Sequence, residues 1–205
     1  MHINRPLQIL FTFLTVMFIR GESSEAQWNL EKTDGNFRVY LHENWKSNHT
    51  YKAEGLYNDS MDNLYSFLLN FRNYPHWINY CSGVELLYAK RDSLYIYYSY
   101  YDLPWPLADR EAISELRITQ LSDSVIHVIS LPSDTNFRSD EKALRVTQYF
   151  ESFTIKAISE EKVLFRMQGS YDPGGYIPNW VVKKFLTEGP YDILLNIKEA
   201  LIGGE

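Results

Sequence analysis

Stretches in which apolar and polar residues alternate occur along most of the chain, and they predict strands. Successive side chains of a strand point to opposite faces, so a period of two favours a strand with one buried face. Residues 37–41 follow an Asp34-Gly35 turn signal and, with residues 50–57, form the first two predicted strands. Six further strands are predicted at 84–89, 94–101, 110–120, 125–131, 145–155 and 163–169.

Apolar residues spaced three and four apart predict helices in two parts of the chain. Ser60 is a good N-cap residue and precedes such a pattern, which Pro75 should end, and a second short helix is expected at 76–78. The last segment, from about 177 to 202, predicts a long C-terminal helix. Gly189-Pro190 lies within it and should kink this helix or split it in two.

A rigid aromatic loop joins the strands predicted at 94–101 and 110–120. Pro104 and Pro106 lack backbone donors and hold the residue before each of them extended, so Trp105 lies on a stiff loop. Asp109 and Arg110 follow directly. A hairpin with an unusual turn explains these residues as well as a functional loop does.

Strands separated from helices along the chain predict an α+β fold. We expect a curved antiparallel sheet that grips the long C-terminal helix, with short helices inserted after the second strand. Aromatic residues make up 16% of the 205 residues, with 16 tyrosines, and should line the interior between sheet and helix. The net charge of −6 argues against a nucleic-acid partner and against a polybasic membrane patch.

Residues 1–26 have the pattern of a signal peptide. A short basic start precedes an apolar run, and small residues follow near Ala26, where a signal peptidase would cleave. We therefore expect export, to the periplasm or outside the cell. Arg20 after the apolar run keeps an uncleaved N-terminal anchor open as the alternative. Only Cys81 is available as a thiol, so no intrachain disulfide is expected.

Several short motifs together resemble the START domain, the StAR-related lipid-transfer family, within the helix-grip group that includes the birch-pollen allergen fold. The resemblance covers residues 27–205, and its most specific pieces are the Pro-Trp-Pro loop with Asp-Arg and the Asp-Pro-Gly-Gly turn before the final helix. The family commonly begins with an additional N-terminal helix, and only Gln27 separates the predicted cleavage site from Trp28. The matching residues are Trp28, Asp34-Gly35, Val39-Tyr40, Tyr74, Trp77, Cys81, Pro104 to Arg110, Arg145 and Asp172 to Trp180.

The resemblance implies a deep cavity that holds one lipid and is closed by the C-terminal helix and the Pro-Trp-Pro loop. Burial of a lipid chain gains about 0.8 kcal/mol per methylene, so an apolar tunnel suffices for binding. A one-residue error in strand register would turn a predicted side chain outward. The candidate cavity residues are Trp77, Tyr98, Tyr100, Trp105, Arg110, Ala112, Ser114, His127, Arg145, Tyr149, Trp180 and Phe185.

Each polar candidate also has a structural explanation. His127 suits a hydrogen-bonded core position better than a ligand contact, and Asp109-Arg110 suits a pair that fixes the loop better than a head-group site. Arg145 is equally well explained as a surface strand residue. For Trp180 and Phe185, ligand contact and simple packing against the sheet both remain open.

The leading prediction is a non-enzymatic protein that binds or transfers one hydrophobic ligand, lipid or sterol-like. No catalytic residue, metal site or cofactor is predicted, because no nucleophile, zinc, phosphate-loop or dinucleotide motif occurs. A helix-grip enzyme of the cyclase or hydrolase kind, and an interaction domain whose cavity is filled, are the alternatives. The expected partners are the ligand and, transiently, a membrane; the protein is expected to be a monomer.

Overall fold

The computed structural model describes residues 28–137, 140, 142–172 and 177–203. Its strands form a ten-stranded sheet in the order β1-β2-β3-β10-β9-β7-β6-β5-β4, with β8 paired to β6. The strands are β1 Trp28–Asp34, β2 Phe37–His42, β3 Thr50–Tyr57, β4 Cys81–Lys90, β5 Leu94–Tyr101, β6 Asp109–Ser122, β7 Val125–Pro132, β8 Ala143–Arg145, β9 Tyr149–Ser159 and β10 Lys162–Tyr171.

Every pairing in this sheet is antiparallel except that of β8 with β6, which is parallel. The predicted α+β fold, a curved antiparallel sheet with a C-terminal helix, is confirmed. Two strands were not predicted. β1 pairs with β2 at one edge of the sheet, and the three-residue β8 precedes the predicted start of β9.

The helices are α1 Trp45–Asn48, α2 Met61–Leu68, α3 Tyr74–Trp77 and α4 Asn179–Gly203, and a 3₁₀ turn covers Phe71–Asn73. The Ser60 hydroxyl accepts a hydrogen bond from the Asn63 backbone N–H at 3.1 Å, which confirms Ser60 as the N-cap of α2. α2 ends at Leu68, and Pro75 lies in the first turn of α3, where a missing N–H is tolerated. α2 and α3 follow β3, which corresponds to the second predicted strand because β1 was not predicted, and α1 lies between β2 and β3.

Helix α4 continues through Gly189 and Pro190, so the predicted split into two helices does not occur. Its buried residues recur every three or four positions, which places one side of the helix against the sheet. The buried Tyr57 hydroxyl of β3 donates to the Leu194 carbonyl at 3.0 Å and joins the two layers. No helix in the described ranges is long and apolar enough to cross a membrane.

The predicted signal segment, residues 1–26, and residues 173–176 of the Asp-Pro-Gly-Gly region lie outside the described residues.

Candidate functional site: a cavity between sheet and C-terminal helix

A cavity of about 330 Å³ lies between the concave face of the sheet and α4. Cavities that hold small ligands have volumes of a few hundred Å³ and mostly apolar walls. Here α2, α3 and α4 contribute to one side, and β5, β6, β7, β9 and β10 to the other. The apolar lining residues include Leu68, Leu69, Trp77, Ile78, Leu103, Leu107, Leu116, Val128, Phe153, Ile155, Phe165, Met167, Ile177, Val182, Phe185 and Ile193.

Polar groups on the wall are concentrated on β6 and β9. The Tyr149 hydroxyl donates to the Ser114 Oγ at 2.7 Å, which joins β9 and β6 across β7, the strand between them. The Glu151 carboxyl accepts from the Tyr51 hydroxyl at 3.0 Å. The side chain of Glu151 lies on the face of β9 that also carries Phe153 and Ile155, so an ionisable group interrupts an apolar wall.

Burial raises the pKa of Glu151 above its ordinary value, and the hydrogen bond from Tyr51 offsets part of that rise. Burial likewise raises the pKa of Tyr149 to about 12, with Ser114 acting in the opposite direction. The same cause raises the pKa of Tyr51, to which the negative charge of Glu151 adds. These groups therefore favour their uncharged, proton-bearing forms.

The loop 102–108 and the first turns of α4 meet at one end of the cavity. The Asp102 backbone N–H donates to the Tyr80 carbonyl at 2.9 Å, and the Tyr80 ring packs edge-on against Phe185 of α4 at 6.2 Å. Asp109 fixes the loop, because its carboxylate accepts from the Leu103 backbone N–H and from a tyrosine hydroxyl of β5. This end of the cavity is hereafter called the rim.

Six of the twelve candidate residues line the cavity: Trp77, Arg110, Ala112, Ser114, Tyr149 and Phe185. The three on β6 share one face because they are spaced by two, as the sequence pattern predicts. Their contact with a ligand stays a prediction. Arg110 does not project free into the cavity, since its Nη1 donates to the carbonyl of Ala108.

Tyr98, Tyr100 and His127 lie on the opposite face of the sheet from the cavity. On β5 it is Tyr97 and Tyr101 that line the cavity, so the predicted parity was off by one residue. The Tyr98 hydroxyl instead donates to Glu111 at 2.9 Å, and that of Tyr100 donates to Asp109 at 3.1 Å. On β7 the cavity receives Val128, the neighbour of His127.

Arg145, Trp105 and Trp180 are also absent from the cavity wall, each for a different reason. Arg145 belongs to β8, and its Nε donates to the fully buried Glu111 at 2.8 Å behind the sheet. Trp105 is 92% exposed because the loop turns its neighbours Leu103 and Leu107 inward. Trp180 is 73% exposed, since α4 presents Val182 and Phe185 to the cavity instead.

The sequence prediction omitted Glu151 and Tyr51, although a signal for the former was present. Glu151 alternates with Tyr149, Phe153 and Ile155, so a single acidic residue falls on an otherwise apolar strand face. Tyr51 gave no such signal, because a tyrosine on a strand is as well explained by packing.

The family model for the START domain matches residues 8–199. The chain belongs to the START domain family. This family generally binds lipids or other hydrophobic ligands. The StAR-related lipid transfer protein of Xanthomonas axonopodis has a TM-score of 0.76 and 20% identity, with 85% of this chain and 98% of that chain covered. The human StAR-related lipid transfer protein 5 has a TM-score of 0.77 and 14% identity, with 89% of each chain covered.

At these identities the two solved structures show the fold of this START domain. An uncharacterised protein of Pseudomonas aeruginosa is 23% identical over 189 residues, which cover 90% of this chain and 92% of that protein.

Proposed function

We propose that this START domain binds one hydrophobic ligand, lipid or sterol-like, in the cavity between the sheet and α4, and transfers it without chemical change. The observation that supports this proposal best is the cavity of about 330 Å³ itself, whose wall is formed mainly by aromatic and aliphatic side chains. Such a wall stabilises a lipid by removing apolar surface from water, without any reacting group.

The rim supplies a route for a ligand between membrane and cavity. Trp105 of loop 102–108 and Trp180 of α4 expose large side chains there, and other residues of the same loop and helix line the cavity. Tryptophan favours the membrane–water interface, because its ring is apolar and its N–H is polar. We propose that the rim contacts a membrane transiently, and that loop 102–108 and α4 close over the ligand afterwards.

The two alternatives have less support. An interaction domain with a filled interior would place its tyrosines in the space that the cavity occupies. An enzyme needs a group poised for proton transfer beside a reacting atom. Glu151 has a raised pKa, but no second carboxyl and no histidine lies among the described lining residues. Its contacts fit ligand binding better.

Native mass spectrometry of the purified full chain, followed by extraction of bound lipid, tests the proposal. A stoichiometric lipid is expected with the wild type. Ala112→Phe, which adds a ring to the cavity wall, should reduce its occupancy, whereas Ala89→Phe on an exposed part of β4 should not. A protein that carries no lipid and takes up none from mixed lipid vesicles would contradict the proposal.

We further propose that residues 1–26 direct export of this domain, as their sequence pattern indicates. Cell fractionation with determination of the N-terminal residue tests it. A soluble exported chain beginning near Gln27 is expected. A membrane-bound chain that retains Met1 would favour the anchor alternative.

A further inference from the structure

Glu151 is an acidic residue in an apolar wall, and the described part of the chain supplies no cation that pairs with it. Among the described residues its hydrogen-bond partner is Tyr51, and no lysine or arginine forms an ion pair with it. Arg110, a cation on the same wall, donates to the Ala108 carbonyl instead. Removal from water without a counter-ion disfavours the charged form of a carboxyl and so favours the protonated form.

The contact between Glu151 and Tyr51 is built into three adjacent strands. Gly169 of β10 is the register partner of Tyr51 on β3 and of Glu151 on β9. A Cβ at position 169 would lie 2.9 Å from Tyr51 Cε1 and 3.2 Å from Glu151 Cγ. The tyrosine and the glutamate therefore meet over a residue that has no side chain. Any larger residue there would push them apart.

This arrangement leaves hydrogen-bonding capacity for a ligand. The Tyr51 hydroxyl donates to Oε1 of Glu151, whereas Oε2 has no hydrogen-bond partner within the described ranges. A protonated carboxyl has one O–H to donate and still accepts. A ligand hydroxyl can accept from this O–H and also donate to the carboxyl, and a ligand carbonyl oxygen can accept from the O–H. Leaving the carboxyl unpaired beside a bound hydrocarbon would be unfavourable.

We propose that Glu151 and Tyr51 are the recognition point for the polar end of the ligand, and that the ligand is an uncharged lipid with a hydroxyl or carbonyl oxygen. This proposal rests on the proposed lipid-binding function. An anionic head would meet a carboxyl with no cation beside it. A cationic head would have to lose its water and ionise Glu151 to form a buried ion pair, whose desolvation opposes the gain.

The test uses four probes that share one fourteen-carbon chain: the primary alcohol, the methyl ketone, the amine and the carboxylate. Their affinities for the full chain are measured at neutral pH by displacement of a fluorescent hydrophobic dye. We expect the alcohol and the ketone to bind about tenfold tighter than the amine and the carboxylate.

Four variants separate recognition from general damage to the cavity. Glu151→Leu should weaken binding of the alcohol about tenfold or more, because its hydroxyl then lacks a partner, and should abolish the head-group preference. Glu151→Gln keeps an N–H donor and should retain the preference. Phe153→Leu, on the same strand face, should weaken all four probes alike. Tyr51→Phe keeps its ring and should reduce the preference, which provides a second test should Glu151→Leu fail to fold.

Equal binding of all four heads, preference for the amine or the carboxylate, or an unchanged preference in Glu151→Leu would overturn the recognition point while leaving lipid binding intact. Failure of every probe to bind, together with absence of any co-purified lipid, would overturn the proposed function as well.

Discussion

At the residue scale, two glutamates on opposite faces of the sheet have different hydrogen-bond partners. Glu111 belongs to β6, and its side chain lies on the face of the sheet away from the cavity. Its carboxylate accepts hydrogen bonds from Tyr98, from Arg145 and from the Asp140 backbone N–H. Glu151 faces the cavity, accepts a hydrogen bond from Tyr51 and lies among further tyrosines, which include Tyr97, Tyr101 and Tyr149. Glu111 forms an ion pair with Arg145, whereas burial raises the pKa of Glu151 above its ordinary value. Each of these two glutamates leads to a separate prediction.

Arg145→Met should lower the free energy of unfolding by about 3 kcal/mol, because it removes the Arg145 cation from the fully buried Glu111 carboxylate. In the wild type, the side chain of Glu111 is 0% exposed and that of Arg145 is 26% exposed. Denaturant unfolding measures the change. Arg166→Met breaks an ion pair with Glu54, in which the side chain of Arg166 is 48% exposed and that of Glu54 is 16% exposed. This variant should lower the free energy of unfolding by less than about 1 kcal/mol. Equal effects of the two variants would contradict this prediction.

Glu151 should make the wild type less stable, relative to Glu151→Gln, as the pH rises. Its ordinary pKa is 4.5, and burial raises the pKa in the folded state. Above about pH 4.5 the unfolded chain releases this proton while the folded chain retains it, so the stability contribution of Glu151 falls until its folded pKa is passed. Denaturant unfolding from about pH 4 to about pH 7 measures the difference.

The difference in unfolding free energy between Glu151→Gln and the wild type should grow over that range, since glutamine does not titrate. Glu160→Gln, in the exposed β9–β10 turn, serves as the matched control. A difference that stays constant with pH would show that Glu151 is ionised in the folded protein.

Residue-level prediction from the sequence failed mainly through strand parity. β5 contains tyrosine at positions 95, 97, 98, 100 and 101, so both faces look equally aromatic and no alternation identifies the buried one. Tyr97 and Tyr101 line the cavity, whereas Tyr98 and Tyr100 bind the acidic residues behind it. β6 was predicted correctly, because Ala112, Ser114 and Leu116 contrast with Glu111, Glu115 and Arg117.

At the element scale, α4 is one continuous helix although it contains Gly189 and Pro190, two residues of low helix propensity. Proline removes one backbone hydrogen bond, and glycine is the more flexible choice in a helix interior. A Cβ at Gly189 would meet no atom within 4 Å, so packing does not require glycine there. The sequence predicted an interruption because local propensity disfavours this pair. Packing of the helix against the sheet overrides that propensity.

Gly189→Ala should raise the free energy of unfolding by about 0.5–1 kcal/mol, because alanine restricts the unfolded chain and favours the helix. Thermal unfolding measures the gain. We also expect slower release of a bound lipid, since a stiffer α4 opens less readily. Gly169→Ala is the contrasting variant and should destabilise the protein, because its Cβ would meet the Tyr51 ring at 2.9 Å. A destabilised Gly189→Ala would indicate that glycine is needed at that point.

At the scale of the whole molecule, the order of strands and helices was predictable because many weak signals agree. Turn residues, alternation and the helical periods each specify the same α+β plan, and the Pro-Trp-Pro loop indicated the family. β1 escaped prediction because five of its seven residues are polar and alternation ends after Leu30, and its pairing with β2 supplies the missing stability. The cavity depends on side chains from elements far apart in the chain, which no local pattern specifies.

Two exposed tryptophans at one end of an acidic molecule predict how it meets a membrane. Trp105 and Trp180 are 92% and 73% exposed beside the rim, and the net charge is −6. Membrane contact through tryptophan does not require anionic lipid. Anionic lipid also does not attract a protein of negative net charge. We therefore expect binding to vesicles of zwitterionic phosphatidylcholine, and this binding should not increase when anionic lipid is added.

The double variant Trp105→Ala/Trp180→Ala should reduce vesicle co-sedimentation and the rate of lipid transfer between vesicles about tenfold, with little change in thermal stability, because neither side chain is buried. Leu121→Ala is the matched control. Leu121 is 63% exposed but lies at the far end of β6, roughly 40 Å along the strand from the rim. If the control reduces transfer as much as the double variant does, the membrane contact is not at the rim. If neither does, transfer proceeds without contact through these side chains, and the cavity exchanges its ligand through water.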